Sequence, residues 1–263
     1  MKSKESFNTA AKLYDEVRPS YPDYVIDWII DNTSVTTNDN LLEIAPGTGQ
    51  ATKKFGKRKF KIHAVELGGN LAEILRKNCD DMNVTVDVSP FESWEAQKGT
   101  KYKLIYCATA FHWLDPEIKY QKTSDLLYDN GYLVLMWNNP VGTNNPIINR
   151  AYKLLFECYP NKPFSLKPKD DEINTQLQNG LKDIEESGHY KVENYLSHKW
   201  HLKQSRDKTV RGFYSQSSYL SLANDERKSL TEKLEKLFES LEDVVKTEFC
   251  TTVYLCKKIG GGK

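Results

Sequence analysis

Two carboxylates and a glycine-rich turn concentrate the chemistry of this chain. Leu41-Leu42-Glu43-Ile44-Ala45-Pro46-Gly47-Thr48-Gly49-Gln50-Ala51-Thr52 reads as an apolar strand that ends in an acid, then a turn that opens a helix. Gly47 and Gly49 carry no Cβ, so a ligand can approach the backbone closely there. The helix start adds N–H donors and positive potential. A second strand, Ile62-His63-Ala64-Val65-Glu66, ends in an acid nineteen residues beyond Gly47. An acid at that place is positioned to accept hydrogen bonds from ribose hydroxyls. Taken alone, the turn is as readily a tight strand-to-helix connection, and the acid a solvated strand end. Their spacing favours a nucleotide-like ligand at the carboxyl ends of parallel strands.

The turn also discriminates between ligands. A dinucleotide fingerprint reads G-x-G-x-x-G, and Gly47-Thr48-Gly49-Gln50-Ala51-Thr52 puts threonine at the third glycine. Glu43 would repel a pyrophosphate, and no arginine sits in the loop to pair with one. A cationic ligand suits Glu43 better. S-adenosylmethionine carries an ammonium and a sulfonium and no phosphate.

Other side chains with chemical potential are fewer. His112 follows a strand at the rim of the expected pocket. It is a candidate general base toward a hydroxyl or amine, since an unperturbed imidazole pKa near 6.5 suits that work. The simpler reading is a residue that only lines the pocket or hydrogen-bonds the ligand's carboxylate end. If the ligand is a sulfonium that donates a group, its good leaving group lets positioning and desolvation suffice. His198 and His201 fall on opposite faces of a β-like segment, so no metal site is expected. Lys53-Lys54, Lys57-Arg58-Lys59 and Lys61 could touch RNA phosphates. No aromatic platform interleaves them, which makes a solvated helix end and loop the better reading. Cys79, Cys107, Cys158, Cys250 and Cys256 form no CxxC pair and read as free thiols of a reducing cytoplasm.

Regular alternation must position these groups. Strands are expected at Leu41–Ala45, Ile62–Glu66, Val84–Val88, Tyr102–Ala108 and Tyr132–Trp137, the last entered through an Asp129-Asn130-Gly131 turn. Helices are expected at Gln50–Phe55, Asn70–Asn78 and Pro116–Tyr128. Such alternation argues for a parallel sheet covered on both faces. Upstream, Phe7, Ala10, Ala11 and Tyr14 recur at helical spacing, Arg18–Pro22 breaks the helix, and Asp23–Ile30 resumes it. Downstream, Ile147–Cys158, Glu172–Ser187, Ser205–Tyr214 and Ala223–Leu241 read as helices, and Tyr190–Leu202 and Val244–Lys257 as strands. Leu230, Leu234, Leu237 and Leu241 form an apolar stripe expected in a core. Pro160–Asp171 reads as an exposed loop and Gly260–Lys263 as a disordered tail.

Composition narrows the partner. The 263 residues include 37 Lys and Arg against 36 Asp and Glu, so no global basic field holds nucleic acid or an anionic membrane. Fifteen Tyr, ten Phe and five Trp supply ample core and exclude intrinsic disorder. The N-terminal Met1–Val17 lacks the apolar core of a signal peptide. The longest apolar run, Tyr132–Trp137, is far short of the roughly 20 residues of a membrane helix. A small-molecule partner and a cytoplasmic location are expected.

The chain resembles the class I S-adenosylmethionine-dependent methyltransferases, in the subgroup similar to ubiquinone/menaquinone and trans-aconitate methyltransferases. Glu43–Gln50 matches the E-x-G-x-G-x-G loop, and Ala64-Val65-Glu66-Leu67 the second motif. Tyr14-Asp15 with Arg18–Pro22 resembles the N-terminal cofactor-covering segment. Ala108–Trp113 resembles the fourth-strand motif, and Asp129–Leu133 the L-x-P-G-G-x-L turn. The matches span about residues 7 to 137, half of the chain. Ala45 replaces the first loop glycine, Pro90 stands where an acid often precedes Phe91-Glu92, and Asp129-Asn130 lacks the usual proline and glycine.

The resemblance implies one Rossmann-like α/β domain with a seven-stranded, mostly parallel sheet, helices on both faces and an antiparallel last strand. Its parts would be a helical cover over 1–35, a cofactor-binding core over 36–137, a helical insertion over 138–188, C-terminal strands and helices over 189–258, and the tail 259–263. Ala45, Gly47, Thr48, Gly49 and Gln50 would cradle the methionine part beside Glu43, and Glu66 would hold the ribose. Leu67, Phe91 and Glu92 would edge the adenine. Tyr14 and Arg18 would close over the cofactor, and Ala108, Thr109 and Ala110 would line the methyl-transfer face. The implied activity is methyl transfer from S-adenosylmethionine to a small-molecule O, N or C nucleophile, by a monomer or homodimer. The rivals are an NAD(P)-dependent oxidoreductase, an RNA or protein methyltransferase, and a catalytically silent cofactor-binding module.

Overall fold

The computed structural model describes residue 8 and residues 10–141, 145–158 and 170–259. The expectations for Phe7, for most of the Pro160–Asp171 loop and for the Gly260–Lys263 tail lie outside those residues.

Five strands appear close to where alternation placed them. β1 (Asn40–Ile44) is buried at four of its five residues, as a parallel strand covered on both faces must be. It pairs in parallel with β2 (Lys61–Glu66), with Leu42 opposite His63, and with β4 (Tyr102–Ala108), with Glu43 opposite Tyr106. β3 (Val84–Val88) extends the sheet beyond β2, and β5 (Leu127–Pro140) pairs in parallel with β4. With β6 (Tyr190–Ser205) and β7 (Val244–Lys258), the order is β3-β2-β1-β4-β5-β7-β6, a Rossmann-like, mostly parallel seven-stranded sheet with an antiparallel pair at its edge.

The helices are α1 (Ala11–Val17), α2 (Asp23–Thr33), α3 (Thr52–Lys57), α4 (Gly69–Asn78), α5 (Lys119–Leu126), α6 (Pro146–Cys158), α7 (Asp170–Glu186), α8 (Arg206–Tyr214), α9 (Ser217–Leu220) and α10 (Asn224–Phe238). The short α9 and a 3₁₀ turn at Phe111–Trp113 carry no sequence pattern long enough to have been read.

One difference has a clear cause. The Asp129-Asn130-Gly131 turn lies inside β5 as a bulge. Tyr102 faces Leu127 and Leu104 faces Tyr132, so two steps along β4 meet five along β5. Leu127 therefore already belongs to the ladder, and α5 ends at Leu126 instead of Tyr128.

The chain divides into two compact units. The sheet unit comprises Ser20–Asn138, Thr175–His198 and Thr251–Lys263, and the helical unit Met1–Pro19, Asn139–Asn174 and Lys199–Cys250. β5, β6 and β7 contribute residues to both. The sheet unit has a core on each sheet face. Leu42, Ile44, Ile105 and Cys107 join Leu177 and Ile184 of α7 on one, and Leu41, Leu104 and Tyr106 join Val25, Ile26 and Ile29 of α2 on the other. The helical unit has its own core, where Leu230, Leu234 and Leu241 meet Ile148, Ala151, Leu155 and Phe213, with Leu237 at the margin. The leucine stripe is thus core packing.

Candidate functional site

At the carboxyl end of β1 the backbone turns sharply. Ala45, Gly47 and Gly49 have φ of 52°, 62° and 94°, in the left-handed region that favours glycine. At Gly49 a Cβ would also lie 2.7 Å from Leu75 Cδ1, so α4 packs directly on the loop backbone. Thr48 is buried, with its carbonyl accepting from Asn78 Nδ2 at 2.8 Å and its hydroxyl from Gln50 Nε2 at 2.9 Å. Ser20 Oγ donates to the Gln50 carbonyl at 3.0 Å. The N–H groups of Ala45, Gly47 and Gly49 are engaged inside the protein, by Val65 O at 2.9 Å, Glu66 Oε2 at 2.9 Å and Pro46 O at 3.1 Å. A pyrophosphate-binding loop presents such donors to its ligand, so this one is ill suited to phosphate.

Both acids are buried. Glu66 accepts from Gly47 N on Oε2 and from Gly68 N at 2.8 Å on Oε1, which ties the end of β2 to the loop. Burial pushes its pKa up against the pull of these N–H bonds. Glu43 is fully enclosed. Its Oε2 accepts from Thr52 Oγ1 at 2.6 Å and Tyr106 OH at 2.8 Å, while Oε1 is without a partner. Burial raises its pKa to about 7, and the charge of Glu66 adds to the shift. Alternation explains the setting. Glu43 shares the face of Leu41, opposite Leu42 and Ile44, and so projects toward α3. The threonine in the third-glycine position is the hydrogen-bond partner of this acid. Sequence reasoning treated the two separately, although an acid at a strand end and a hydroxyl on the next helix were the available signal.

The remaining expected residues divide by exposure. Leu67 is exposed at the end of β2. Phe91 is turned into the core, stacked on Trp94 at 6.4 Å, with Lys122 Nζ 5.2 Å from its ring centre. Glu92 Oε1 accepts from Asp115 N at 3.2 Å, and Pro90 O accepts from Trp94 N at 2.9 Å. At the end of β4 and just beyond it, Ala108 and Ala110 are half-buried and Thr109 is exposed. Thr109 has φ 61°, a strained value for a β-branched residue, held by N–H donation to Met136 O at 2.7 Å and a 2.6 Å hydroxyl contact with Tyr21 OH. His112 is exposed on the 3₁₀ turn, 4.7 Å from the Trp113 ring, and its Nδ1 accepts from Trp137 Nε1 at 3.4 Å. Partial desolvation, with Lys119 adding its charge, holds the imidazole below its ordinary pKa. Tyr14 and Arg18 belong to the helical unit, where the guanidinium stands 4.9 Å from the Tyr14 ring centre and Arg18 Nη2 donates to Ser215 O at 3.1 Å.

Two of the six basic residues of this stretch are in ion pairs with described residues. Lys54 pairs with Asp23 at 3.0 Å and Arg58 with Asp27 at 2.6 Å, both acids on α2. His198 lies 5.0 Å from the Tyr24 ring, whereas His201 faces Glu248 at 3.5 Å. Among the described residues no cluster of three or more metal-ligating side chains occurs, and no helix is long and apolar enough to cross a membrane.

Comparisons with known proteins bear on the fold and the family. A family model described as ribosomal RNA adenine dimethylase matches residues 22–110. An uncharacterized methyltransferase-like protein of Schizosaccharomyces pombe is 30% identical over 155 residues, covering 57% of this chain and 58% of the relative. The ribosomal RNA small subunit methyltransferase A of Clostridioides difficile is 36% identical over 61 residues, 23% of this chain and 21% of that protein. The chain thus matches no more than about three fifths of the length of these curated relatives. A putative type II methyltransferase structure from Anaeromyxobacter dehalogenans superposes with a TM-score of 0.64 at 13% identity, covering 90% of this chain and 97% of the other. A methyltransferase from Geobacter sulfurreducens, solved with S-adenosylhomocysteine, gives 0.52 at 11% identity, covering 92% and 93%.

Proposed function

We propose that this chain, which has the fold of the class I S-adenosylmethionine-dependent methyltransferases, transfers the methyl group of S-adenosylmethionine to a small-molecule O, N or C nucleophile. One observation carries the reading. The loop at the ends of β1 and β2 has its key N–H groups bonded inside the protein and is backed by two buried carboxylates. That arrangement disfavours phosphate and favours a ligand with positive charge and hydroxyls. Glu66 would hold the ribose, its Oε atoms retaining free lone pairs beside the two backbone bonds. Ala45 to Gln50 would form the floor under the methionine part, backed by the field of Glu43. Leu67 and the backbone around Phe91 and Glu92 would flank the adenine. The strained Thr109, between Ala108 and Ala110, would set the face at which in-line transfer occurs. When bound, the cofactor supplies the electrophilic methyl group, and the protein's share is orientation and exclusion of water. None of the five cysteines forms a disulfide, which fits a cytoplasmic enzyme.

Calorimetry with S-adenosylmethionine, S-adenosylhomocysteine and NAD tests the reading. Binding of the first two is expected, and binding of NAD alone overturns it. Glu66→Ala should weaken S-adenosylmethionine binding by about 1–3 kcal/mol through lost charge-assisted hydrogen bonds. An unchanged dissociation constant would show that Glu66 is not at the ribose.

A second reading, methylation of RNA, is favoured by the match over residues 22–110 and by the small-subunit methyltransferase relatives. Against it stand the ion pairs of Lys54 and Arg58 and the balance of 37 basic against 36 acidic residues. Parallel assays for S-adenosylhomocysteine release with ribosomal RNA and with a metabolite library decide between them.

A further inference from the structure

We propose that His112 acts as a fixed hydrogen-bond donor through Nε2, not as a proton acceptor, and that Trp137 is the positioning residue that sets this tautomer. An indole N–H donates and never accepts. Trp137 Nε1 donates to His112 Nδ1 at 3.4 Å, so Nδ1 carries the lone pair and the proton of the neutral ring resides on Nε2. Nε2 makes no hydrogen bond to the described residues. Trp137 is itself held: its ring stands edge-on to that of the buried Tyr254, with centroids 5.9 Å apart at 81°. The Tyr254 hydroxyl in turn donates to Leu177 O at 3.3 Å.

The electrostatics point the same way. The charged group that faces the His112 ring is Lys119 at the start of α5. Its ammonium lies over the rings of Phe111 and Tyr120 at 5.1 and 4.9 Å, and 3.7 Å from Asp183 Oδ2. A neighbouring cation opposes formation of an imidazolium. A general base must become that imidazolium, and it must present a lone pair where this ring presents hydrogen. The group held by His112 is therefore a lone-pair-bearing atom of the bound molecule, such as a carbonyl, carboxylate or alkoxide oxygen. Where the nucleophile carries a proton, that proton goes to solvent water.

What molecule His112 meets rests on the methyltransferase reading; the tautomer does not. Two measurements on the full chain keep these apart. In ¹⁵N-labelled protein, long-range ¹H–¹⁵N correlation of the histidine rings, with His112 assigned by His112→Gln, should show a neutral Nε2–H ring at pH 7. Trp137→Phe should release it to a mixture of tautomers. An Nδ1–H ring or an imidazolium at pH 7 in the unaltered protein overturns the proposal, whatever the enzyme's activity. In turnover, His112→Ala should raise KM for the acceptor about tenfold, the loss of one hydrogen bond. His112→Gln, whose amide N–H replaces Nε2–H, should recover most of that loss without moving the pH profile. A loss of kcat on the order of 10²–10⁴-fold in His112→Gln, with the profile's acid limb gone, is the signature of a general base and would also overturn it.

Discussion

The ends of β1 and β2 and the ends of β4 and β5 belong to one sheet but are built in opposite ways. At the first, Glu43, Thr48, Thr52 and Glu66 are buried, and their polar atoms are tied to backbone and to one another. At the second, Thr109, His112 and Trp113 are exposed, and single contacts, Tyr21 to Thr109 and Trp137 to His112, stand in place of a buried network. A buried polar network is rigid and intolerant of change, because removing one partner leaves another unsatisfied in low dielectric. An exposed aromatic rim has no such obligation. The difference matches two tasks: holding a ligand of constant shape, and meeting an acceptor whose identity can vary between relatives with the same fold.

The comparison would break if the first end tolerated substitution as the second should. Gly49→Ala carries the largest expected effect. The residue has φ 94°, and its new Cβ would lie 2.7 Å from Cδ1 of Leu75, a side chain with no solvent exposure. Left-handed strain of roughly 1–2 kcal/mol and overpacking of roughly 1–3 kcal/mol sum to a loss of about 2–5 kcal/mol. Trp113→Ala, at the exposed rim, should change stability by less than about 0.5 kcal/mol. Urea denaturation of the two variants checks the contrast, and equal effects would refute it.

Glu43 sharpens the same contrast through pH. Its pKa in the folded protein is about 7, above the ordinary 4.5, because burial disfavours the carboxylate. The folded state therefore favours the proton more than the unfolded state does. The resulting stabilisation is complete below pH 4.5, falls as pH rises, and is lost above about 7. At about 1.36 kcal/mol per unit, the loss across that window is roughly 3 kcal/mol. Glu43→Gln keeps an acceptor for Thr52 and Tyr106 and cannot ionise. Its stability should fall less than that of the unaltered protein between pH 5 and pH 8. Parallel pH profiles would end the assignment.

Legibility in the sequence followed the same division. The strands near Glu43, Glu66 and Ala108 were readable to within a residue or so because parallel strands buried on both faces are nearly continuous apolar runs. The loop was readable because few residue types suit its backbone angles. Three features escaped for physical reasons. The bulge at Asp129–Gly131 uses turn residues, and only pairing with β4 reveals that the strand runs on through them. The link from Glu43 to Thr52 and Tyr106 joins side chains on three elements, and no periodicity within one element encodes it. The inward turn of Phe91 is likewise a matter of packing against Trp94.

The finest comparison lies between two strained residues on neighbouring strands. Ala45 follows β1 with φ 52° and Thr109 follows β4 with φ 61°. Ala45 makes no side-chain hydrogen bond, so Ala45→Gly should relieve the left-handed strain and stabilise by about 1 kcal/mol. Thr109→Gly relieves similar strain but removes the 2.6 Å contact with Tyr21 OH, a loss of about 1 kcal/mol that leaves the net change near zero. If Thr109→Gly stabilised as much as Ala45→Gly, the Tyr21 contact would contribute nothing to stability. If Ala45→Gly were neutral, the loop around Ala45 would be as relaxed as an ordinary turn. The expected pattern, a gain at β1 and balance at β4, holds only if strain at Ala45 is uncompensated and strain at Thr109 is maintained by a partner reaching in from Tyr21.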